Sequence, residues 1–448
     1  MKIKAYTLAL AILFAVIAPG VAQAIPAFSK KYESSCTVCH TTWPKLNQYG
    51  TLFKINGYKL IDSKDEGHVA TFSPSKNLFL NLGKGEPPIS ILLEGGATVI
   101  QPNTGPDGDQ SDKYICCFEG NTVTALMGGT VAPDIAYWIS LPWGKENVEQ
   151  GYIRFTNFFG PGYLNLDFGA MKVIDYDAVS EGREWFASPL VSLRGYSTNR
   201  RSGSIGKGAP FNDTGIRIYG RPGFGKFTYE GSIYTGNQIL GAENDDDGYA
   251  FTMMGRLDLD RLAFSFRYWM NLGGSVDMQG VDADGNTIVF AADPSTNSQE
   301  TNEFIISARY VHPVFEVDFV YDSATFTAKD MSMTDTDGVS HKFSQGNMKR
   351  QGLSLRAVWL VNSWFETGIG YGLSSIAAYN VTVDGNSVET NAVNASLIEL
   401  RADIRPTMNM RVGLELQVDA SNNESRQLAD GSVYAAQSRA LIQWKLTF

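Results

Sequence analysis

The chain has 448 residues, with 37 Lys and Arg against 47 Asp and Glu and a formal charge of −10. That balance argues against a nucleic-acid partner, which needs clustered positive charge, and for solubility or attraction of cations. The length exceeds one ordinary domain, although barrels run this long as single units.

Residues 1–24 read as a signal peptide. Lys2 and Lys4 form the basic start, Ala5 to Ile17 the apolar run, and Ala22-Gln23-Ala24 the cleavage site. Removing those two lysines takes the charge from −10 to −12 in the mature chain. The apolar run is too short to span, and no later stretch approaches about 18 uninterrupted apolar residues, which excludes helical membrane spans.

A dozen residues further on stands Cys36-Thr37-Val38-Cys39-His40. Two thiols at this spacing with a histidine directly after is the pattern for covalent c-type haem attachment. Cys36 and Cys39 form the thioethers and His40 is presented to the iron. Trp43, Leu46, Gly50 and Phe53 follow at helical spacing, and Pro26, Phe28 and Tyr32 precede the motif. A segment of about 60 residues, 25–88, buries little surface alone, so a covalently held haem would complete its core. A sixth iron ligand is open between His68, the one further histidine nearby, and a methionine from the following region such as Met127 or Met171. Bis-imidazole ligation by His40 and His68 implies a lower potential than a His/Met pair. The alternative for His68 is a solvated loop position beside Asp65 and Glu66. Cys116-Cys117, an adjacent pair in a predicted loop, has no assigned role.

From Ile89 the pattern changes to segments of roughly ten residues with period-two alternation. Met408, Met410, Val412, Leu414, Leu416 and Val418 share one face, and Asn409, Arg411, Glu415 and Gln417 the other. Ile398, Leu400 and Ile404 alternate with Glu399, Arg401, Asp403 and Arg405; Phe315, Val317, Phe319 and Tyr321 alternate with Glu316 and Asp318. Charge repeated on one face of segment after segment fits an apolar exterior around a polar lumen, the pattern of a transmembrane barrel. Sixteen strands are predicted at 89–100, 120–131, 134–143, 148–158, 162–173, 213–221, 226–235, 249–258, 261–272, 303–311, 314–323, 350–360, 363–373, 394–405, 408–418 and 434–448. Short turns such as Ala132-Pro133, His312-Pro313 and Pro406-Thr407 alternate with long loops such as 174–212, 273–302, 324–349 and 374–393. The exceptions are a short turn at 144–147 and a further strand-like stretch at 186–195. The even count puts both chain ends on the short-turn side, and the terminal aromatic strand ending in Phe448 fits barrel closure.

Acidic residues concentrate in the long loops: Asp107, Asp109 and Asp112; Glu243 with Asp245, Asp246 and Asp247; Asp282 and Asp284; Asp335 and Asp337. They are turn formers first, and beyond that a field that concentrates cations. No hydrolase triad, phosphate cradle, zinc spacing or complete calcium loop is present. His312, before a proline in a tight turn, and His341, in a loop, read as structural.

Two stretches together resemble a known family. The run Cys36-Thr-Val-Cys-His40 with Pro44, Leu46-Asn47, Gly50, Phe53 and Gly57-Tyr58 is similar to the haem segment of outer-membrane cytochrome–porin fusions, the single-haem iron oxidases of iron-oxidising bacteria and their relatives. Asn157-Phe158-Phe159-Gly160-Pro161-Gly162-Tyr163-Leu164-Asn165-Leu166 is similar to a turn and strand in their barrels. The resemblance implies a bacterial outer-membrane protein carrying one haem c, bound by Cys36, Cys39 and His40. It would pass electrons between an extracellular donor such as ferrous iron and a periplasmic c-type cytochrome. The rival readings are a diffusion porin with a haem gate or redox sensor, and a membrane-anchored docking cytochrome.

Overall fold

In the computed structural model, residues 28–29, 32, 34–42, 45–61, 70–71, 81–82, 89–101, 114–116, 122–143, 149–179, 212–235, 249–272, 278–281, 287–290, 299–334, 340–389, 392–407, 409–420 and 438–447 are described. The signal peptide, His68, Phe448, the stretch 186–195 and all the acidic loop residues named above lie outside them.

Among the described residues, sixteen long antiparallel strands close into one barrel. They are β1 Ile89–Gln101, β2 Thr122–Ala132, β3 Ile135–Pro142, β4 Gln150–Phe158, β5 Leu164–Lys172, β6 Asn212–Gly220, β7 Phe227–Tyr234 and β8 Tyr249–Leu259. The second half comprises β9 Leu262–Leu272, β10 Gln299–Val311, β11 Phe315–Thr334, β12 Ser340–Leu360, β13 Phe365–Ile376, β14 Val393–Thr407, β15 Met410–Asp419 and β16 Ser438–Thr447. Each pairs with its neighbour in sequence, and β16 closes onto β1 from Ser438↔Gln101 to Thr447↔Leu92. Closure leaves no unpaired edge, which a lipid-embedded sheet cannot tolerate because each orphaned backbone group costs several kcal/mol there. The start of β1 and the end of β16 lie at the end of the barrel that carries the short turns.

The sidedness inverts that of a soluble sandwich. Ile153 is 52% exposed on the outer face, while its neighbour Arg154 is fully buried in the lumen. Ile398, Leu400, Ile404, Leu414 and Val418 likewise face out, and Glu399, Arg401, Asp403, Arg411 and Glu415 are buried inside. The inward charges satisfy one another: Arg356 bonds Glu399, Arg401 bonds Glu366 and Asp403, and Arg411 shares Asp403. Buried charges demand such pairing.

Four expectations are corrected. Much of 324–349 is strand, because β11 and β12 continue as a paired hairpin to Thr334 and Ser340, and His341 therefore lies on β12 opposite Met333 rather than in a loop. Short hairpins Met278–Val281/Thr287–Phe290 and Asn380–Val383/Asn386–Glu389 occupy parts of two other predicted loops. Cys116 ends a short strand, Tyr114–Cys116, paired with β1; Cys117 lies outside the described residues. Residues 174–179, expected at the start of a long loop, fold into the lumen, as does Val173 at the expected end of the strand before it. Val173, Ile174, Tyr176, Ala178 and Val179 are buried, and the backbone NH groups of Ala178 and Val179 donate to Ser265 and Ser307 on β9 and β10.

Candidate functional site

The Cys36–Val38 stretch is a single 3-10 turn, after which His40–Thr42 pairs with Lys45–Leu46. Helix α1 then runs Gln48–Ile55. It begins later than the spacing of Trp43 and Leu46 predicted, because Asn47 is its N-cap and accepts from the Gly50 NH at 2.8 Å. The same Asn47 organises the motif. Its NH donates to the Cys39 carbonyl at 2.9 Å, and its side-chain amide donates to the Val38 carbonyl at 2.9 Å. Gly50 has no room for a side chain: a Cβ there would lie 2.1 Å from the Cys39 carbonyl oxygen. Asn47 and Gly50 thus lock the helix onto the cysteine turn. Trp43 and Pro44 lie outside the described residues.

The sulfurs of Cys36 and Cys39 are free of disulfides and half-buried. Burial, and secondly Cys36, pushes the Cys39 thiol up. His40 Nδ1 lies 3.2 Å from the Lys45 carbonyl. A proton held on Nδ1 by that carbonyl leaves the lone pair on Nε2, the arrangement a metal-binding imidazole uses.

This segment sits inside the barrel, held by contacts the sequence did not reveal. At the C-terminal end of α1, Arg154 of β4 donates to the Lys54 carbonyl at 2.5 Å and Asn165 of β5 donates to the Ile55 carbonyl at 3.3 Å. The wall therefore adds donors to two carbonyls of the last helical turn, of which that of Lys54 also accepts from the Gly57 NH, and places a cation at the negative end of the helix dipole. Lys54 pairs with Asp175 of the inward segment, Asn157 donates to Asn56, and Lys59 reaches the Pro133 carbonyl and Asp134 at the β2–β3 turn. Lys45 pairs with Glu316. The Asn157–Tyr163 run is a socket: Asn157 and Phe159 both have φ of 63°, and Asn157 Oδ1 accepts from the Gly162 NH at 2.8 Å.

Tyr58, also left-handed at φ 63°, is fixed from every side. Its ring stacks on Phe28 and Trp138 at 5.3 and 5.7 Å, and its hydroxyl meets that of Tyr152 at 3.0 Å. Such a conformation costs a non-glycine residue about 1–2 kcal/mol, so these contacts oppose a real strain. Beneath it Arg154 and Arg217 share Asp167, and their guanidiniums stack on Tyr152, Tyr176 and Tyr219.

Between plug and wall lies a cavity of about 370 Å3, lined by Cys36, Cys39 and His40 together with Phe53, Tyr58, Leu92, Leu126 and Trp138. Its lining also carries charge, from Lys172, Asp175, Asp177, Arg256 and Arg309. Two thiols and an imidazole opening into one aromatic-walled space fit a covalently held haem. Met127 does not fit as an axial ligand, since Leu126 and Gly128 line the cavity and the strand period turns Met127 outward. Met171 is fully buried among Tyr152, Tyr234 and Trp269. His312 stacks on Phe315 at 4.8 Å and accepts from the Val314 NH, the structural role expected.

The lining residues that sequence reasoning missed are Asp175, Tyr176 and Asp177 of the inward segment and wall residues such as Leu92, Leu126, Trp138 and Arg256. The one signal for the inward segment was the apolar pair Val173-Ile174 where a long loop was expected to begin.

No protein-family model and no curated protein matches the chain. Solved structures share its fold. In-vitro folded OmpT, an outer membrane protein of Vibrio cholerae, aligns with TM-score 0.54 and 10% identity over 80% of this chain and 96% of that one. The loop L8 deletion mutant of OmpT gives TM-score 0.51 and 11% identity over 80% and 98%. An anion-selective porin from Comamonas acidovorans gives 0.49 and 14% over 80% and 98%. The fold is that of a closed outer-membrane β-barrel like OmpT.

Proposed function

We propose that this chain is a bacterial outer-membrane electron-transfer protein whose single c-type haem occupies the lumen cavity. The supporting observation is that Cys36, Cys39 and His40 line one partly open cavity inside the barrel, on a plug bonded to its wall. The haem supplies one-electron chemistry when bound. The chain's own part is positioning. Asn47 and Gly50 hold the cysteine turn, Lys45 orients His40, and Phe53, Tyr58 and Trp138 exclude water. His68 is proposed as the distal ligand, and loss of the low-spin absorbance in His68→Ala tests it. With both chain ends taken as periplasmic, an extracellular donor such as ferrous iron reaches the cavity from the long-loop side and a periplasmic c-type cytochrome collects the electron.

The fold favours a second reading, a diffusion porin with the plug as a haem-bearing gate. The barrel is a closed sixteen-stranded outer-membrane type, and the plug meets the wall through many polar contacts that water can replace. Two measurements separate the readings. Haem that survives denaturing electrophoresis in the parent and is lost in a Cys36→Ala, Cys39→Ala variant supports attachment; no covalent haem removes the electron-transfer reading. Planar-bilayer conductance at porin level in the intact protein supports the gate.

A further inference from the structure

The inward segment places a carboxylate in the cavity wall that none of the roles above uses. Asp177 is 2% exposed and lines the same cavity as Cys36, Cys39 and His40. Its Oδ2 accepts from Arg267 Nε at 2.8 Å and Nη2 at 2.7 Å. Its Oδ1 is buried with no hydrogen-bond partner among the described residues, which is unfavourable for a carboxylate oxygen removed from water. Arg267 is also shared: it bonds both oxygens of Glu230 on β7, at 2.9 and 3.0 Å. One guanidinium thus serves two buried carboxylates, and among the described residues no second cation pairs with the Asp177 side chain. The other groups around Asp177 are Arg256 on β8, which donates to its backbone carbonyl at 3.1 Å, Arg217 on β6 and Tyr234 on β7, which lie around Glu230, and Asp175 and Tyr176 on its own segment. Asp175 is occupied by Lys54 and stays ionised.

Resting on the electron-transfer reading, we propose that Asp177 is a proton-accepting site coupled to the redox state of the lumen haem. When one electron enters the cavity from a one-electron donor, one proton from solvent goes to Asp177 Oδ1. When the electron leaves, the O–H bond breaks and the proton returns to water. The arriving negative charge is thereby neutralised inside a low-dielectric space, where an uncompensated charge is costly. Burial already pushes the Asp177 carboxyl above the usual carboxylate range despite Arg267, with Glu230 adding to the rise and Arg256 opposing it.

The test is the haem midpoint potential, followed by absorbance under mediated titration from about pH 4 to about pH 9, in the full-length protein in detergent. In the parent the potential falls as pH rises, by up to a tenfold change in the reduction equilibrium per pH unit, which is 59 mV. Asp177→Asn flattens that slope. Glu230→Gln leaves Arg267 to Asp177 alone, stabilises its charged form and moves the sloping region to lower pH. The second variant keeps the test decisive if the first misfolds. A pH-independent parent, or a slope unchanged in Asp177→Asn, overturns the proposal; the latter would assign the proton to the haem propionates. Absence of covalent haem defeats the electron-transfer reading itself and is distinguishable from both.

Discussion

Lys54 and Asp175 form a two-point ion pair in the lumen, with Nζ lying 2.6 and 2.7 Å from the two carboxylate oxygens. Lys54 belongs to the plug helix and Asp175 to the inward segment, so the pair joins two pieces of chain that the barrel ladder itself does not need. Breaking a buried pair by removing one partner leaves a charge uncompensated, a loss of about 3 kcal/mol. Asp175→Ala should therefore loosen the plug while leaving the barrel closed. Limited proteolysis would show new cleavage near Lys54 with unchanged barrel migration on gels. Lys54→Met combined with Asp175→Leu should recover most of the protection, and equal cleavage in the single and double variants would contradict the assignment.

The same pair sets a pH limit. Burial alone would push the Asp175 carboxyl up, but Lys54, Arg217 and Lys172 overcome it and hold it well below the usual carboxylate range. A depressed folded value contributes stability that is full above the unfolded value of about 4 and is lost as pH falls below it. Protease resistance of the plug should be flat from about pH 8 to about pH 5 and decline below about pH 4. A decline beginning near neutrality would point to another group.

Gly50→Ala tests the packing of helix on motif. The Cβ would stand 2.1 Å from the Cys39 carbonyl, a collision with backbone that no rotamer relieves. Overpacking of this kind costs about 1–3 kcal/mol. The variant should reach the membrane with the barrel folded but with reduced covalent haem per chain. Full haem loading would show that the α1–motif contact is dispensable.

Tyr152→Phe removes the hydroxyl that meets Tyr58 and leaves both rings in place. The expected loss in plug stability is about 1 kcal/mol, the net worth of an ordinary hydrogen bond. Thermal release of the plug, followed by tryptophan emission from Trp138, should shift by a few degrees. No shift would mean the stack on Phe28 and Trp138 suffices to hold the left-handed Tyr58.

The barrel was legible because lipid imposes a rule on every segment. Residues such as Ile398 and Leu400 must face out and Glu399 and Arg401 in, so alternation marks each strand whatever its neighbours. Beyond the membrane that rule lapses. The β11–β12 hairpin continues to Thr334 and Ser340, pairing Met331 with Phe343 and Met333 with His341. Polar and acidic residues interrupt that alternation in the sequence, and His341 was misplaced for that reason. The motif was legible by spacing, and Asn47 and Gly50 stood in view as unexplained punctuation. The docking was not legible. Arg154 capping the Lys54 carbonyl joins residues 100 positions apart, and no local pattern encodes that pairing. The inward turn at Val173 was missed because strand alternation simply stops there, as it does before any loop.

The most direct test uses the purified protein in sealed liposomes with a redox dye trapped inside and ferrous iron added only outside. The account predicts dye reduction together with a change in the haem absorbance band, both abolished in the Cys36→Ala, Cys39→Ala variant. A haem that changes without dye reduction would place the electron in the lumen and require the periplasmic acceptor to complete the path. If neither the haem nor the dye responds while the vesicles leak small solutes through the barrel, the electron-transfer account is contradicted and the gated porin takes its place.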